Sequence, residues 1–130
     1  MPLLQFDTSV EMTGIEKQEF AATVRELYGE TMQTGTSHVA VVVRPRTPAE
    51  VSLGRQTDDP RVLVLDAEIR AGRSTEQKRE FALAVMDTAT EDFGVPEPNM
   101  KVVFTEHEGE AMMGYDRVGS AWSSDEGDDR

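Results

Sequence analysis

The sequence contains no cysteine, which excludes a disulfide framework, a thiolate zinc site and a thiol nucleophile. It has no apolar run near the ~18 residues that a membrane-spanning helix needs. No positively charged stretch leading into an apolar one opens it, so neither a membrane partner nor export through a signal peptide is expected. Basic residues are scarce: Lys and Arg number 13 against 25 Asp and Glu, a formal net charge of −12. Such a surface repels phosphate backbones, which argues against a nucleic-acid partner. Lys17, Lys78 and Lys101 are the only lysines. Few lysines among many acids and threonines point to a salt-adapted cytoplasm, where high ionic strength screens self-repulsion. A glycine-rich phosphate loop and a Ser-His-Asp grouping are missing as well.

What is present fits one domain. With 130 residues and 38% hydrophobic content, the chain can bury a single modest core, and association through an apolar face is expected. An internal repeat organises it, at an offset of 61 residues. Lys17-Gln18-Glu19-Phe20-Ala21-Ala22-Thr23-Val24 lies over Lys78-Arg79-Glu80-Phe81-Ala82-Leu83-Ala84-Val85, with five of eight positions identical. The same offset sets Val41-Val42-Val43 over Val102-Val103-Phe104, and Asp7 over Glu68. Register kept across strand, helix and strand marks a duplicated unit.

Each copy reads β-α-β. Leu3 to Thr8 and Val62 to Ile69 have strand character, and a capping box follows each: Thr13-x-x-Glu16 and Ser74-x-x-Gln77. Helical spacing then places Phe20, Val24, Leu27 and Tyr28 on one face, and Phe81, Val85, Ala89 and Phe93 on another. Val39 to Val43 and Met100 to Thr105 supply the return strands. The expected fold is therefore α/β (α+β): two tandem β-α-β units forming a four-stranded sheet with both helices on one face. The domain spans residues 1–118, with halves 2–44 and 61–105 joined by a proline-bearing linker, 45–60; the acidic tail 119–130 is expected to be disordered. The other sheet face, expected to be rich in Val and Leu, would be covered by further subunits.

Three places carry candidate chemistry. Pro2 becomes a rigid secondary amine if Met1 is removed; nearby positive charge and partial burial would lower its pKa toward that of a useful general base. It could equally open an edge strand, where its missing N–H does no harm. Arg70 and Arg73 fall where a strand runs out before a capped helix, and two guanidinium forks suit a bound carboxylate. Their counterparts in the first copy are Ser9 and Met12, so the arginines do not belong to the shared scaffold; surface arginines offsetting an acidic chain are the plainer alternative. Tyr28 continues an inward helix face with its hydroxyl free to reach a site, and His38 opens a strand, where a structural hydrogen bond competes with a binding role. Glu106-His107-Glu108 and Glu110 resemble a metal cluster in composition only and read as a solvated acidic loop; no metal is expected. Met112 and Met113 read as packing residues.

Taken together, Pro2 after Met1, the tandem β-α-β units and the strand-end arginine pair resemble the tautomerase superfamily, and within it the cis-3-chloroacrylic acid dehalogenase branch. Thr34-Gly35-Thr36-Ser37-His38 is similar to that branch's Thr-Gly-Thr-x-His, Arg70-Ala71-Gly72-Arg73-Ser74 to its Arg-x-Gly-Arg-Ser, and Tyr115-x-Arg117 to its Tyr-x-Arg. The resemblance implies a homotrimer, no cofactor, proton transfer by Pro2, and a substrate carboxylate held by Arg70 and Arg73; Tyr28 and His38 are further candidate binding residues. The pattern departs at Tyr28, where the branch has histidine, and at Val103 and Gly114, where it has the tyrosine and glutamate that activate water. Glu106, Glu108 and Glu110 are the nearby acids that could substitute. The expected activity is a cofactor-independent tautomerase acting on a small 2-keto or 2-hydroxyenoic acid. The alternatives are 3-haloacrylate dehalogenation, hydration or decarboxylation, and a non-enzymatic structural trimer.

Overall fold

Burial alternates strictly along Leu3–Thr8 (β1) and through most of Leu63–Arg70 (β3), as it must where one sheet face meets helices and the other does not. The computed structural model describes residues 1–115, 117–119 and 122. Its order is β1, α1 (Gly14–Met32), β2 (Ala40–Pro45), β3, α2 (Thr75–Phe93), β4 (Met100–His107), then a short hairpin of β5 (Met113–Gly114) and β6 (Arg117–Val118). The tail expected to be disordered lies outside the described residues apart from Gly119 and Trp122.

The sheet runs β2-β1-β3-β4. β1 pairs with β2 and β3 with β4 in parallel, and the halves join where β1 meets β3 in antiparallel register. The repeat shows in that register: Leu3 stands opposite Glu68 and Asp7 opposite Val64, pairs that exchange under the 61-residue offset. Both capping boxes close as expected, Thr13 with Glu16 and Ser74 with Gln77. Both helices end in a left-handed residue, Gln33 (φ 51°) and Gly94 (φ 68°), again one offset apart. α1 and α2 cover one sheet face with Phe20, Val24, Tyr28 and Met32, and with Phe81, Val85 and Ala89. Edge-to-face ring contacts knit this core: Phe6 to Phe20 at 4.9 Å, Phe20 to Phe93 at 5.9 Å and Tyr28 to Phe81 at 5.2 Å between centroids.

Two expectations need correction. Glu106 and His107 do not belong to a loop; β4 continues through them, opposite Ile69 and Arg70. The helix-free face is not simply Val and Leu. Val42 and Val103 are exposed on it, but a polar ladder crosses it. Arg44 donates to Asp7 and Gln5, Gln5 donates to Glu68, and His107 meets Glu68. The alternation that buries every second residue of β1 and β3 puts Gln5, Asp7, Asp66 and Glu68 on that face. The linker, in turn, is held by Asn99, fully buried, whose amide donates to the carbonyls of Asp59 and Arg61 and accepts from Thr57 N–H.

Candidate functional site

Parallel pairing inside each half and antiparallel pairing between them bring the starts of β1 and β2 to the same sheet end as the finishes of β3 and β4. Pro2 immediately precedes β1, is buried, and its carbonyl accepts from Ala40 N–H at 3.0 Å. A cavity of about 700 Å³ opens there, lined among others by Met1, Pro2, His38, Glu68, His107 and Gly114. His38 is exposed, with its ring Nε2 3.4 Å from Ser37 Oγ. His107 Nε2 lies 3.1 Å from Glu68 Oε1, a carboxylate–imidazole pair inside the cavity.

Arg70 and Arg73 are 8% and 6% exposed and do not line that cavity. Arg70 closes β3 opposite His107. Arg73 turns its Nε and Nη2 toward the Met32 carbonyl, at 3.4 and 3.3 Å. Its guanidinium carbon is 5.8 Å from the Tyr28 ring centroid and 4.9 Å from that of Trp122. The carbonyl it approaches is at the C-terminal end of α1, the negative end of the helix dipole, which suits a buried cation. The five residues singled out from the sequence therefore divide into a cavity pair, Pro2 and His38, and an aromatic–arginine cluster, Arg73 and Tyr28, with Arg70 beside the cavity's His107.

Sequence reasoning missed the Glu68–His107 pair. The signal was available: once β4 is carried to His107, parallel register places it diagonally across from Glu68 on one face. Of the other acids considered, Glu106 is ion-paired with Lys78, and none of Glu106, Glu108 or Glu110 lines the cavity. Val103 is 45% exposed on the sheet face. Among the described residues no group of three His, Cys, Asp or Glu side chains could hold a metal ion, and no helix is long and apolar enough to cross a membrane.

Comparison with family models and with curated proteins finds no match to the sequence. Solved structures answer differently. The crystal structure of N1, a member of the cis-3-chloroacrylic acid dehalogenase family, superposes with a TM-score of 0.81 at 16% identity, covering 92% of this chain and 84% of that one. The chain has the tautomerase fold. That fold also relates it to malonate semialdehyde decarboxylase, with a TM-score of 0.74 at 21% identity over 88% of this chain and 92% of that one. The macrophage migration inhibitory factor of Toxoplasma gondii gives 0.76 at 14% identity over 89% and 98%. Proteins sharing the tautomerase fold thus include a decarboxylase and a member of a dehalogenase family.

Proposed function

We propose that this protein is a cofactor-independent tautomerase of small 2-keto or 2-hydroxyenoic acids, working from Pro2 once Met1 has been removed. The observation that carries the reading is Pro2 itself, which lines a cavity of substrate size at the sheet end where Arg70 also stands. In this reading the proline nitrogen takes a proton from C3 of the 2-keto acid. The C–H electron pair becomes the C2=C3 bond, and the proton returns on the C2 oxygen to give the enol. Although neither lines the cavity in the single chain, Arg70 and Arg73 are assigned to hold the carboxylate and stabilise the enolate charge as it develops, and Tyr28 and His38 to complete the binding site. The functional assembly is a homotrimer.

The test is the enol–keto interconversion of phenylpyruvate, followed by absorbance, with intact-mass measurement to establish that Met1 is absent. Pro2→Ala is expected to lose about 10²- to 10⁴-fold in kcat, the usual contribution of a positioned general base. Undiminished turnover by that variant rejects the mechanism. Light scattering in solution checks the trimer.

A second reading has its own observation, the Glu68–His107 pair. There Glu68 accepts a proton from water, the oxygen bonds to C3 of a 3-haloacrylate, and protonated Pro2 supplies a proton to C2. The resulting halohydrin loses hydrogen halide to leave an aldehyde. Halide release from 3-chloroacrylate that disappears in Glu68→Gln favours this route; no release above the enzyme-free rate rejects it.

A further inference from the structure

Trp122 is the chain's single tryptophan, and it makes three contacts that converge on one side chain. Its ring lies 4.9 Å from the Arg73 guanidinium carbon. Its indole N–H donates to the Gln33 carbonyl at 3.1 Å. Its own carbonyl oxygen rests so close over Gly72 that a Cβ there would sit 3.1 Å from it, at a backbone φ of 124° that side-chain-bearing residues rarely adopt. Gly72 immediately precedes Arg73. Gln33 immediately follows Met32, whose carbonyl faces Arg73 Nε and Nη2. Trp122 thus touches the guanidinium, the backbone that carries it and the helix end that it approaches.

We infer that Trp122 is a positioning residue that fixes the Arg73 guanidinium for carboxylate binding. This rests on the reading of Arg73 as a carboxylate-binding group. An arginine side chain has many rotamers, and paired hydrogen bonds to a carboxylate need its planar fork in one orientation. An aromatic ring within cation–π distance restrains the guanidinium without accepting a hydrogen bond from its N–H groups. Tyr28, the other ring near this guanidinium, lies farther off, at 5.8 Å, and packs edge-to-face on Phe81.

Two measurements test this. In the first, phenylpyruvate kinetics are compared among the parent protein, Trp122→Phe and Trp122→Ala. The expected pattern is a KM raised about tenfold in Trp122→Ala with kcat within about twofold, and a KM largely restored by the Phe ring. An unchanged KM in Trp122→Ala, or a fall in kcat alone, overturns the inference. In the second, the emission of Trp122 is titrated with malonate, which needs no turnover. A saturable change in the parent protein that is lost in Arg73→Ala supports it. No saturable change, or one that survives Arg73→Ala, overturns it. A protein that turns over nothing yet gives the Arg73-dependent malonate response removes the tautomerase reading and leaves this inference standing.

Discussion

At matching positions the two halves hold a carboxylate in different company. In the first half Asp7 accepts from Arg44 and Arg46, both at 2.9 Å, and this holds its carboxyl down to about 2. One offset later, Glu68 takes the place of Asp7 and His107 that of Arg46, at 3.1 Å. A guanidinium does not give up its proton in any ordinary working range, whereas an imidazole can. The first pair is therefore a staple between β1 and β2, and the second faces the cavity. The strand ends differ in the same sense. Ser9 is absorbed into the scaffold, donating to the Pro60 carbonyl at 2.6 Å and accepting from Val62 N–H at 2.9 Å. Its counterpart is Arg70, and that of Met12 is Arg73. The duplicated scaffold offers two equivalent sheet ends; the linker ties down one, and the other opens on Pro2.

Five substitutions break or sharpen that comparison. Phe20→Ala and Phe81→Ala empty equivalent core positions, and each is expected to cost about 3–5 kcal/mol in chemical denaturation. Only the second also raises KM, because Phe81 supports Tyr28 beneath Arg73. Gly94→Ala is expected to cost about 1–2 kcal/mol by imposing a Cβ on a left-handed residue, and that Cβ would meet Arg61 Nη1 at 2.5 Å. Its mirror, Gln33→Gly, relieves the same conformation at the end of α1. It is expected to gain about 0.5–1 kcal/mol, read as a raised denaturation midpoint. Asp7→Asn has the smallest effect at neutral pH, under about 1 kcal/mol for so exposed a pair. Its signature is in acid. A carboxyl at about 2 when folded and near 3.9 when unfolded stabilises the protein above pH ~4, and that contribution is lost as pH falls toward 2. The variant should flatten this limb of the stability–pH curve, measured by urea unfolding.

The fold was legible because its signals are local and written twice. Phe20 and Phe81, Thr13 and Ser74, and the two valine-rich return strands each repeat at one spacing, so every assignment had an independent copy. The candidate site was legible only where a residue is unusual by itself, as Pro2 is after Met1, or differs between copies, as Arg70 and Arg73 do. What escaped depends on distant pairing. Glu68 and His107 meet through strand register, and Trp122 reaches Arg73 from far along the chain, with no spacing rule to announce either contact. Asn99 was invisible for the same reason, since its partners are backbone atoms of the linker.

Met1 shares the cavity wall with Pro2, and this bears on how the protein should be produced. Under the proposed mechanism, an affinity tag fused ahead of Met1 would keep the proline nitrogen in an amide and thread extra chain past the cavity mouth. A preparation of that kind would look inert whatever the native polypeptide can do, whereas a tag at the opposite terminus would leave removal of Met1, and with it the proposed amine, possible.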